Sequence, residues 1–152
     1  MYSNQRYNKA RHDFGKQGEA EVLPLIEMVI GEPLTPTEKF YDTMDAVSEH
    51  YWIELKTRSA RYHWEDDFIQ KEGWLIPACK IERALKESKT CRFYYYWRSD
   101  GSLWELEFSP KSIEGLQPSV PSWHLEKQPH YYIPQDRWMK IEFVEPEIEP
   151  GL

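Results

Sequence analysis

Apolar and polar residues recur along this chain at two different periods, and the switches between them mark its elements. Val22, Leu23, Ile26 and Ile30 fall at helical spacing, with Glu19 on the same stripe. That spacing predicts a helix from Phe14 to Ile30, capped by Asp13 and stopped by Gly31 and Pro33. Pro24 removes a backbone donor inside it and should kink or split it. Glu32 to Glu38, with Pro33 and Pro36, reads as a loop. Phe40 to Val47 and Tyr51 to Thr57 then alternate at period two and read as paired strands. A charged connection, Arg58 to Glu72, leads to a helix from Pro77 to Ser88. Its apolar face is Ile81, Ala84 and Leu85, with Lys80 at the edge. Cys91 to Arg98 is a strand by residue type, and Asp100-Gly101 turns it into a second strand, Ser102 to Phe108. Beyond Ser109 the chain is rich in proline, and His130 to Ile133 and Trp138 to Val144 read as strands. The pattern predicts a single α/β domain in which helices flank a central mixed sheet. A basic arm (1–12) precedes the core (13–108), and a β/loop extension (109–152) follows it.

The strand pair places chemistry on one face. Met44 and Ala46 would face one way with Ile53 and Leu55; Asp45 would face the other with Trp52, Glu54 and Lys56. This holds for a turn of even length; a three-residue turn would part the acids. Directly opposed residues have side-chain roots about 5 Å apart, close enough for two carboxylates to share a cation. Asp45 and Glu54 are then candidate oxygen ligands for Mg²⁺, with the Leu55 carbonyl between them. Lys56 would orient or deprotonate an attacking water. Glu19 would complete the site from the first helix, with Glu21 as the alternative acid there. Such a set suits phosphodiester hydrolysis. Glu87-Ser-Lys89 repeats the Glu-x-Lys letters without an acid-bearing strand before it, and reads as a solvated helix end.

Composition changes the picture at three points. The net charge of −7 is adverse for a nucleic-acid partner, although Arg6, Lys9, Arg11, His12 and Lys16 cluster near the start and Glu145, Glu147 and Glu149 near the end. Arg58, Arg61, His63, Trp64 and Lys71 form a basic and aromatic mixture that suits gripping a nucleic acid and equally suits a solvated loop. Cys79 and Cys91 have no zinc-motif spacing, and no apolar run is long enough for a membrane span or a signal peptide, so the expectation is a cytoplasmic protein. His12, His50, His63, His124 and His130 are scattered, and His50 reads as exposed. There is no Gly-rich phosphate loop, His-Glu-x-x-His or Gly-x-Ser-x-Gly. The tyrosines of Cys91 to Arg98 read as core ahead of a base-stacking platform.

Gly15-x-x-x-Glu19-x-x-Val22-x-x-Leu25, then Asp45, then Glu54-Leu55-Lys56 resembles the PD-(D/E)xK nuclease superfamily, which includes Holliday-junction resolvases and small phage or viral nucleases. The resemblance covers residues 13 to 108, with Met44 where the family pattern has proline. It implies a restriction-endonuclease-like αβββαβ core and metal binding by Asp45, Glu54 and the Leu55 carbonyl. It further implies catalysis by Lys56, with Glu19 as a supporting acid. Lys80 matches a basic position of some small members; Arg58, Arg61 and Lys16 are the remaining candidates for holding nucleic acid. The function so implied is a Mg²⁺-dependent endonuclease, able to use Mn²⁺, acting on DNA ahead of RNA, with homodimerisation left open. The alternative is an inactive module of the same fold that binds nucleic acid or a protein.

Overall fold

A computed structural model describes residues 20–37, 44–58, 74–120 and 127–143. Helix α1 covers 20–30 without a break at Pro24, which lies on the exposed side. It ends at Gly31, whose φ of 70° is the left-handed conformation glycine adopts freely, and whose N–H donates to the Glu27 carbonyl. The strands are β1 (Thr35–Pro36), β2 (Ala46–Val47), β3 (Tyr51–Arg58), β4 (Trp74–Pro77), β5 (Thr90–Trp97), β6 (Ser102–Glu107), β7 (His130–Ile133) and β8 (Met139–Lys140); α2 (Ala78–Lys86) lies between β4 and β5.

Among the described residues, six strands form a mixed sheet in the order β1-β2-β3-β5-β6-β8. Among the described residues only β3 and β5 run parallel, in register from Tyr51 opposite Thr90 to Arg58 opposite Trp97. Parallel neighbours need a crossover, and β4 with α2 lies within it. β4 pairs with β7 in a separate antiparallel ladder. A mixed central sheet with helices is thus what the alternation predicted.

Both faces of the sheet are packed. On one, Val22, Leu23 and Ile26 of α1 meet Ala46, Ile53, Leu55, Tyr94 and Leu103. On the other, Ile81 and Ala84 of α2 join Trp74, Ile76, Phe93, Tyr95, Trp97 and Leu106. Ile133 and Trp138, from beyond residue 108, belong to this second cluster. Tyr94 and Tyr95 are 1% and 3% exposed, so the tyrosine run is core. Trp74 centres the aromatic packing, with its ring centroid 5.1–5.6 Å from those of Tyr95, Trp97, Trp104 and Trp138.

Several expected details differ. Leu85 is exposed rather than on the buried stripe of α2. Met44 belongs to the core cluster that contains Trp74, on the opposite side of the sheet from Ala46, because the chain bends at residues 44–45 and the β2 ladder begins only at Ala46. The expected loop after α1 contains β1, and Trp74 to Pro77 forms a strand before the second helix. The last strand shortens to Met139–Lys140, preceded by a 3₁₀ turn over Gln135–Arg137. Helix α2 has no side-chain cap at Pro77; the Ala78 N–H donates to the Pro129 carbonyl at 2.9 Å.

Candidate active site

The site is built on the β2–β3 hairpin, and the hairpin depends on its tip. The Ser48 N–H donates to the Tyr51 carbonyl at 2.9 Å, and the Ser48 hydroxyl accepts from the Tyr51 N–H at 3.1 Å. Glu49 and His50 are left as a two-residue turn, so the turn is even. Glu32, just past α1, clasps this tip. Its Oε1 accepts from the Ser48 hydroxyl at 2.7 Å and from the His50 N–H at 3.0 Å, while its Oε2 meets the His50 ring. The Ser48 hydroxyl, followed by His50, holds the Glu32 carboxyl down at about 2. From the far side Lys89 donates to the Ser48 carbonyl at 2.9 Å. The second Glu-x-Lys copy is therefore not a solvated helix end: Lys89 braces the hairpin, and Glu87 pairs with Arg83.

Register follows from the turn. Ala46 lies opposite Ile53 and Val47 opposite Trp52, and the Asp45 N–H donates to the Ile53 carbonyl at 2.9 Å. The paired register ends at Ala46, and just beyond it the Asp45 charge lies close enough to Glu54 to repel it. Asp45 Oδ2 accepts the Leu55 N–H at 2.8 Å, while the Asp45 carbonyl accepts from Thr37. Within a strand, the N–H and C=O of one residue point the same way. The Leu55 carbonyl therefore faces the same edge of β3 as its N–H, toward Asp45.

The face that carries Glu54 and Lys56 is not the open cleft expected of it. Glu54 is 8% exposed, beneath α2. Lys80, in the first turn of α2, reaches down and donates its ammonium to Glu54 Oε1. Glu54 Oε2 is buried with no hydrogen-bond partner. Burial, and then repulsion by Asp45, push the Glu54 pKa up to about 8 against the pull of Lys80. Burial and then the neighbouring Arg58 charge lower Lys56 to about 8. Burial also opposes the charge on Lys80, but Glu54 and Asp45 outweigh it and hold its pKa above the ordinary lysine value.

Asp45, Glu54, Leu55, Lys56 and Lys80 are thus brought together, and Arg58 ends the same strand. Glu19, Lys16 and Arg61 lie outside the described residues. Glu21 is turned elsewhere: it is exposed and pairs with Arg98 at 2.9 Å. The tip brace by Glu32, His50 and Lys89 was missed, since its partners lie on three separate elements and no local pattern joins them. Among the described residues, no three His, Cys, Asp or Glu side chains form a metal-ligand group. Two carboxylates still fit Mg²⁺, which keeps several waters and takes one or two carboxylates plus substrate phosphate. The buried, unpartnered oxygen of Glu54, on a carboxyl that feels the Asp45 charge, is the observation in favour of that fit.

Compared with family models, curated proteins and solved structures, the chain matches none. Among the described residues, no helix is long and apolar enough to cross a membrane.

The titration of the site carries a stability prediction. The folded Glu54 carboxyl, at about 8 against 4.5 without the fold, keeps a proton that the unfolded chain has released between those values. Stability therefore falls as pH rises through this window, by at most about 1.4 kcal/mol per unit for one proton. Lys56, at about 8 against 10.5, works in the next window: there the unfolded chain binds more protons, and stability recovers with rising pH. Urea denaturation at pH 5, 6.5 and 8 should show the decline, and Glu54→Gln should flatten it. An unchanged slope in the variant would remove Glu54 as its source.

Proposed function

We propose that the chain is a divalent-metal-dependent nuclease, with DNA as its substrate ahead of RNA and internal cleavage ahead of end cleavage. The observation that supports this reading is the Asp45 carboxylate bound to the Leu55 N–H, within electrostatic reach of Glu54, with Lys56 two residues beyond Glu54 on the same face of β3. Asp45, Glu54 and the Leu55 carbonyl would hold Mg²⁺ or Mn²⁺. When bound, the ion supplies a water of lowered pKa and offsets charge on the phosphoryl oxygens. Lys56, whose ammonium gives up its proton at about 8, is suited to accept a proton from the attacking water or to orient it. Asp45 has a second task, since its Oδ2 ties the Leu55 N–H and so fixes the carbonyl of the same residue.

A second reading has its own observation. Lys80 already neutralises Glu54, so the cluster can be a structural ion pair in a non-catalytic module. Calorimetric titration with Mn²⁺ separates the two. The nuclease reading expects binding in the wild type and a loss of about 10-fold or more in Asp45→Asn. No heat of binding, together with no cleavage of linear, flapped or four-way DNA or of RNA, would leave the module reading.

A further inference from the structure

We infer that Lys80 is an internal counter-cation which a divalent ion must displace from Glu54, so that Lys80 sets how weakly the free protein holds its metal. This rests on the proposal that Asp45 and Glu54 hold the ion.

Lys80 takes Glu54 Oε1, and its side chain is only 19% exposed while that of Glu54 is 10% exposed. Once ionised, a carboxylate so enclosed needs a nearby positive charge, and among the described residues Lys80 is the cation in contact with it. Lys56 lies on the same face of β3 as Glu54, so a second ammonium group stands near the two acids. A divalent ion at Glu54 Oε2 and Asp45 would sit within a few ångströms of the Lys80 ammonium, and like charges at that range in a dry site repel strongly.

The geometry resolves this conflict by movement. Glu54 is fixed in the middle of β3, between β2 and β5, and cannot leave. Lys80 sits at the start of a helix on a flexible four-carbon stem, so it is the group that yields. Once released, its ammonium is still tethered beside the site, where a substrate phosphate can take the place of the Glu54 carboxylate. Metal and nucleic acid then bind cooperatively: each removes a cost the other would face alone.

The test measures ion binding rather than activity. Calorimetry with Mn²⁺ on the full chain should show affinity rising about tenfold or more in Lys80→Met, the scale of a close charge pair, and remaining weak in Lys80→Arg, which keeps the competing charge. In the wild type, amine labelling read by mass spectrometry should rise severalfold at Lys80 when Mn²⁺ is added, a measurement that needs no variant to fold. Equal affinity in wild type and Lys80→Met, or labelling of Lys80 that ignores Mn²⁺, would overturn the inference while leaving the metal site standing. Absence of Mn²⁺ binding in both proteins would overturn the site and the inference together.

Discussion

Lys56→Ala should lower divalent-dependent cleavage by about 10²–10⁴-fold, the range for removing a group that moves or orients a proton. The fold should be unaffected. Burial disfavours the charged form of Lys56 and brings its pKa to about 8, so deleting the amine removes a group whose charge the folded state tolerates poorly. Melting of the variant at or above the wild-type temperature, alongside lost cleavage, would tie the loss to chemistry. Asp45→Asn is the partner experiment and is chosen over alanine for a specific reason. Asparagine keeps an oxygen that can accept the Leu55 N–H, the bond seen at 2.8 Å, and so preserves the local register while removing the charge. Alanine would leave that N–H without its acceptor and mix a structural loss with a catalytic one. Cleavage at the wild-type rate by either variant would remove that residue from the site.

The hairpin was legible because the two periods are strict where it matters. Ile53 and Leu55 are buried against α1, and Glu54 between them points the other way; alternation alone predicts this. Parity could be posed from the sequence but not decided. What decides it is Ser48, whose backbone and hydroxyl bond Tyr51 and leave Glu49-His50 as the turn, under a clasp from Glu32. That clasp joins residues far apart in the chain. The same limit explains β4: Trp74-Leu75-Ile76 is too short a run to announce a strand, and its partner β7 is distant in sequence. Met44 was misplaced because alternation was extended past the point where the ladder begins. The environment of Glu54 was least legible of all. A half-buried sheet exposes its polar face, but this sheet is covered on both sides, and only the position of α2 reveals that Lys80 lies over the acid.

Trp74→Ala should destabilise the chain by about 3–5 kcal/mol, a large part of the roughly 5–15 kcal/mol that holds a domain together. Trp74 is 3% exposed and its ring meets four aromatic neighbours drawn from β5, β6 and the segment after β7. Truncation removes the shared partner of all four and leaves a cavity that rigid rings fill badly. Trp74→Phe should cost far less, for two reasons. It keeps much of the ring packing, and it deletes a buried indole N–H that has no hydrogen-bond partner. Urea midpoints for the two variants provide the measurement; equal losses would mean that the indole as a whole, rather than its aromatic area, is required. The consequence reaches the site. Trp74 opens β4, β4 runs directly into α2, and the Tyr95 hydroxyl donates to the Leu75 carbonyl beside it. The aromatic cluster therefore sets where α2 starts and how Lys80 reaches Glu54. In conditions where Trp74→Ala remains folded, its Mn²⁺ affinity should shift as Lys80 loosens, whereas Trp74→Phe should bind the ion as the wild type does.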